Sequence, residues 1–202
     1  MRFSPPMRFF LTAAALCVAA NASTVFNFDN DSLGTSTGFT DTVNGLAATF
    51  SSSADPGGFV VYQSMFETLT GNVLGDPGPA GLDDLALSVH FSANLSAVTL
   101  DFATSDFSIP SPLTLTAYEN SKLIGSASAT GQFLSGFSFP EGEIAFAGSP
   151  FNQIVISSPA TDFAVDNIAV ATAPEPATCA LLGIALLALG VPALRRRAVI
   201  HQ

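Results

Sequence analysis

Between residues 24 and 170 the sequence alternates with a period of two, and this constrains the fold more than any other feature. "LALSVHF" puts Leu85, Leu87, Val89 and Phe91 on one side of an extended chain, and "LSAVTLDFA" does the same with Val98, Leu100 and Phe102. Successive side chains of a strand point to opposite faces, so this pattern describes strands with one buried face. No stretch in this span carries a helical period. Further strands are expected at 24–28, 46–51, 58–62, 143–147, 152–157 and 162–170. "LTLTAYE", Leu113 to Glu119, followed by Asn120-Ser121 and "KLIGSAS", reads as a tight hairpin. "GNVLGDPGPAGLDD", 71–84, reads as a loop. About ten short strands separated by Gly, Pro, Ser and Asp clusters predict an all-β fold, a β-sandwich of jelly-roll type. Most of the 18 phenylalanines fall within this span and supply its interior.

That core must hold itself together. Both cysteines, Cys17 and Cys179, lie in the apolar ends, so residues 23–172 contain no disulfide. About 150 residues suffice for one hydrophobic core. The charge is one-sided. Residues 23–175 hold one cation, Lys122, against all sixteen Asp and Glu residues, a net charge of −15. Such a domain repels phosphate backbones, so nucleic acid is excluded as a partner.

The two ends read differently. "MRFSPPMRFFLTAAALCVAANAS" has basic Arg2 and Arg8, an apolar stretch from Phe9 to Ala20, and a small-x-small site before Ser23. That is the layout of a secretory signal peptide over 1–22, and it works from Met1 or from Met7. Leu16 precedes Cys17 where lipoprotein processing needs a small residue. At the other end, Ala177 to Leu194 is an uncharged run followed by Arg195, Arg196 and Arg197. As a helix it would span about 27 Å, close to the hydrocarbon thickness of a bilayer. The arginines favour the cytoplasmic side. Residues 173–202 therefore form a transmembrane segment, joined to the domain by the stiff linker "TAPEPA".

Pro174-Glu175-Pro176, an apolar helix and a terminal arginine cluster resemble, in order and spacing, a PEP-CTERM sorting signal. The likeness covers about the last 25 residues, with Pro192 and the trailing "AVIHQ" departing from the usual abrupt basic ending. The resemblance implies export across the inner membrane of a Gram-negative bacterium that makes extracellular polysaccharide. It implies transient anchoring, then release by an exosortase-type membrane peptidase to the cell surface or matrix. Pro174, Glu175 and Pro176 would be the recognition element, and Arg195, Arg196 and Arg197 would hold the orientation.

In "DFAVDNIAV" the apolar parity slips at Asp166-Asn167, as at a β-bulge. The stretch is similar to the closing strand of carbohydrate-binding-module-like jelly rolls, in which an aspartate helps bind a structural calcium. That resemblance implies Asp166 as a calcium ligand, with Asp29 or Asp31 of "FNFDNDS" nearby. Turn-like hydrogen bonds at the bulge are the plainer alternative. No other cofactor is called for.

Catalysis has little to draw on. His90 is the one histidine of residues 23–172 and takes the outward parity, and Glu141 and Glu143 of "PEGE" read as a solvated turn. There is no Trp, and Tyr62 and Tyr118 read as strand residues with surface hydroxyls. The sequence thus points to a non-enzymatic exported protein, structural or adhesive in an exopolysaccharide setting. The alternative is a carbohydrate-binding module for extracellular polysaccharide.

Overall fold

In the computed structural model, residues 23–53, 58–76, 85–106 and 108–173 are described. The segment read as a signal peptide, Pro174–Glu175–Pro176, the apolar run and Arg195–Arg197 lie outside them. Among the described residues no helix is long and apolar enough to cross a membrane. Ser23–Ala173 is one unit with its own core.

Eleven strands follow one another: β1 Ser23–Phe26, β2 Phe39–Val43, β3 Leu46–Ser52, β4 Val60–Gln63, β5 Asn72–Gly75, β6 Ala86–Thr104, β7 Pro112–Glu119, β8 Lys122–Thr130, β9 Gln132–Phe133, β10 Pro140–Ser157 and β11 Phe163–Thr172. Two runs that the sequence suggested as separate strands form the single strand β6, and another two form β10. All described pairings between these strands are antiparallel.

The long strands β6 and β10 turn one continuous ladder into a sandwich. The first half of β6 pairs with β3 and with the end of β10; its second half pairs with β11 and with the start of β10. The register between β6 and β10 shifts between Ala147 and Gln153. On β6 the buried parity changes over the same region, from Leu87, Val89, Phe91 and Leu95 to Val98, Leu100 and Phe102. The chain thereby keeps its apolar side inward while passing from one layer to the other. Phe26, Phe50, Phe91, Phe102 and Phe151 are buried in this single core, each worth about 1.5–3 kcal/mol for the surface removed from water.

Two hairpins rest on residues in the left-handed region. Asn120 and Ser121 have φ of 48° and 69°, and Asn44 and Gly45 have φ of 53° and 81°. Positive φ at both central residues is the two-residue turn whose twist suits flanking strands. The expected hairpin at Asn120-Ser121 is present, and the Asn-Gly pair makes a second one between β2 and β3. The segment read as a loop from residue 71 contains β5.

Candidate functional site

The site lies on the outward face of the layer formed by β10, β6 and β11. Gly142, Leu100, Phe102 and Val165 belong to the inward parity; Glu141, Asp101, Ala103, Ala164 and Asp166 take the other. That outward face is not left to solvent. The connection 64–71 between β4 and β5 crosses it, and Leu69 is buried there with Val73, Ala103 and Ala164, flanked by Tyr62 and Phe66. The connection closes on itself through Ser64 N–H donating to the Gly71 carbonyl at 2.8 Å. The Ser64 hydroxyl also donates to the Leu69 carbonyl.

Carboxylates beneath this cover hold it. Glu141 accepts from Glu67 N–H at 2.9 Å and from the N–H and hydroxyl of Thr68, each at 2.6 Å. Asp29 accepts from Asn72 N–H at 2.9 Å. Gly71 is required at the contact, since a Cβ there would lie 1.9 Å from an Asp29 oxygen, and its φ is 76°. The solvated turn expected at "PEGE" is instead the start of strand β10; Glu141 is 4% exposed, and only Glu143 faces solvent. Nothing in the local sequence signals this, because the cover comes from a remote segment.

Asp166 is 1% exposed. The parity slip is a bulge: the register with β6 shifts between Asp166 and Ala169, and Asn167 has φ of 50°. Asn167 N–H donates to Asp166 Oδ1 at 2.7 Å, while Oδ2 has no hydrogen-bond partner among the described residues. Burial pushes the carboxyl up to about 7; Asp29 and Asp101 push the same way, against the N–H groups of Asn167 and Thr70. Asp29 thus lies near Asp166. Asp31 belongs to the same turn, but burial and Asp41 are what raise its carboxyl. Asp101, opposite Asp166 in the ladder, is a neighbour that the closing-strand resemblance did not supply; its Oδ2 accepts from Asn167 Nδ2 at 3.0 Å. Among the described residues no three His, Cys, Asp or Glu side chains are grouped to hold a metal ion.

Beside the covering connection opens a cleft of about 640 Å³, within the range of small-molecule sites. Tyr62, Phe66 and Phe139 give it aromatic walls; Asp76, Asp162, Ser105 and Thr161 give it oxygens. Phe66 and Phe139 meet edge to face, with centroids 5.7 Å apart. Thr104 lines the same cleft, is 1% exposed, and its hydroxyl has no partner among the described residues. Tyr62 is half-buried: burial first, then Asp162 and Asp76, push its hydroxyl up to about 12. A Cβ on Gly75 would lie 2.9 Å from that hydroxyl, so the glycine lets the ring lie against β5. His90, by contrast, is exposed on the opposite layer, as its parity indicated.

No protein-family model and no curated protein matches the chain. Solved structures do. The chain is similar to the cleaved adhesin domain K2 of Lys-gingipain, with 12% identity, a TM-score of 0.50, and 74% of this chain and 99% of that one covered. It also aligns with a mutant family 29 carbohydrate-binding module at 12% identity and a TM-score of 0.40, covering 78% of this chain and 99% of that one. A family 11 carbohydrate-binding module from Clostridium thermocellum, in complex with a β-1,3-1,4-mixed-linked tetrasaccharide, aligns at 13% identity and a TM-score of 0.40, with the same coverage. At such identities the likeness is one of fold. The class it defines is an all-β, sandwich-like domain.

Proposed function

We propose that the 23–173 unit is a non-catalytic, jelly-roll-type binding domain that takes a segment of extracellular polysaccharide in the Tyr62–Phe66–Phe139 cleft. The observation that carries this reading is the convergence, in one cleft, of Tyr62, Phe66, Phe139 and the largely buried Phe163 with carboxylate and hydroxyl oxygens. A pyranose ring presents an apolar face that packs on aromatic side chains and a rim of hydroxyls that donates to such oxygens. The chain would reach its polysaccharide through the PEP-CTERM route, with Pro174, Glu175 and Pro176 read by an exosortase-type peptidase and Arg195–Arg197 holding the membrane segment. The test is titration calorimetry of the Ser23–Ala173 unit with cellohexaose, mannohexaose, chitohexaose and a uronate hexamer. Binding that Tyr62→Ala or Phe139→Ala weakens at least tenfold supports the cleft. Binding to none of the four, or binding that both variants keep, overturns it and leaves the structural or adhesive matrix role.

The proposal includes a structural calcium at Asp166 and Asp29. The orphaned Oδ2 of a buried carboxylate, with Asp29 and Asp101 as negative neighbours, is what a bound cation would relieve. Calcium takes six to eight oxygens, so backbone carbonyls or water would have to complete the set.

A further inference from the structure

We infer that Glu141 is the positioning residue of the cleft: its carboxylate fixes the connection 64–71 as the wall that carries Met65 and Phe66, so affinity depends on a side chain outside the cleft. The inference rests on the glycan-binding reading above.

The connection has no strand of its own to hold it. Its bonds to the sheet run to Glu141 on β10 and, through Thr70 N–H, to Asp166 on β11, while Asp29 after β1 holds Asn72, the first residue of β5. Glu141 makes three of these bonds, at the two residues that follow Phe66. Phe139, two residues before Glu141, receives the Phe66 ring edge to face. One short stretch of β10 and its approach therefore sets both the backbone and the ring of the wall. The far side is set separately by Leu69 in its small apolar cluster. Hydrogen bonds to an ionised acceptor are about twice as strong as neutral ones. Glutamine at 141 would keep one acceptor but turn an NH₂ group toward a donor that the carboxylate now satisfies. Glu143, exposed on the same face, provides the control.

The experiment compares wild type, Glu141→Gln, Thr68→Val and Glu143→Gln in the Ser23–Ala173 unit. Two readouts are taken well below each melting temperature: amide hydrogen exchange at Glu67 and Thr68, and calorimetric affinity for cellohexaose, mannohexaose, chitohexaose and a uronate hexamer. Glu141→Gln should speed exchange at both amides at least tenfold and weaken binding at least tenfold while the unit stays folded. Thr68→Val, which removes the hydroxyl bond alone, should give a smaller loss in the same direction, and Glu143→Gln should match wild type. Unchanged affinity in folded Glu141→Gln with fast amides would overturn the positioning role and leave the cleft reading standing. Slow amides in Glu141→Gln would overturn it too, and should Glu141→Gln not fold, unchanged exchange and affinity in Thr68→Val would do so. No binding by wild type would instead overturn the cleft reading, and the positioning role with it.

Discussion

Replacing Asp166 by Asn should make the domain more stable at neutral pH and leave it nearly unchanged in acid. The folded carboxyl titrates at about 7 against an ordinary value of 3.8. A carboxyl raised in the folded state holds its proton more tightly there than in the unfolded chain. Its contribution is therefore most favourable below about pH 4 and is lost as pH rises toward 7. A shift of about three units corresponds to at most about 4 kcal/mol, and relaxation and water penetration around the ionised group bring this nearer to about 2 kcal/mol. Asparagine keeps an oxygen for Asn167 N–H and carries no charge to repel Asp29 and Asp101. Urea unfolding followed by far-ultraviolet circular dichroism, in EDTA, gives both stabilities from pH 3.5 to 8.5. Their difference should grow by about 2–4 kcal/mol across pH 4–7 and level off above that window. Parallel curves across the window would refute the buried-charge argument. Calcium gives the second half of the experiment. At a hundredfold excess over its dissociation constant it should stabilise wild type by about 2.7 kcal/mol at pH 8 and leave Asp166→Asn unmoved. Magnesium is the control, and equal melting temperatures in EDTA and calcium would leave Asp166 as a bulge residue.

Other substitutions test other parts of the account. Gly75→Ala places a Cβ 2.8 Å from that of Ala164 and 2.9 Å from the Tyr62 hydroxyl; it should cost about 1–3 kcal/mol in thermal unfolding and weaken oligosaccharide binding. Ser121→Gly, at φ 69°, should stabilise the β7–β8 hairpin by about 1 kcal/mol, and Gly45→Ala, at φ 81°, should cost about as much in the β2–β3 hairpin; chemical denaturation reads both. Neutralising Arg195, Arg196 and Arg197 should weaken membrane retention of the precursor in cell fractionation. A cytoplasm-only fluorescent reporter fused after Gln202 should light up before processing.

The inward faces were legible because a half-buried strand writes its burial into alternating residues. Leu87, Val89 and Phe91 and then Leu100 and Phe102 are buried where that alternation puts them. The bulge at Asp166-Asn167 was legible for the same reason, as a break in phase. The Asn44-Gly45 turn carried an equally strong signal, and it marks a strand pair that apolar runs alone do not reveal. The continuity of β6 and β10 was hidden, since a bend that reverses parity looks like an interruption. The site was legible only in pieces. Glu141 and Asp101 sit at outward positions of their strands, where charge normally means solvent. Glu141 is nonetheless buried and Asp101 half-buried, and the cover over Glu141 comes from residues 64–71, which are distant in sequence. Tyr62 read as a surface hydroxyl because nothing near it in sequence shows that Asp76 and Asp162 close around it.

The cleft is tested most directly by mapping oligosaccharide contacts residue by residue. Heteronuclear NMR of the isotope-labelled Ser23–Ala173 unit, titrated with the hexasaccharide that binds best, should move the resonances of Tyr62, Phe66, Phe139 and Asp162. It should leave those of His90 and Tyr118 in place. Shifts confined to the layer bearing His90 and Tyr118, or no saturable shift at all, would contradict the assignment of this cleft as the polysaccharide site.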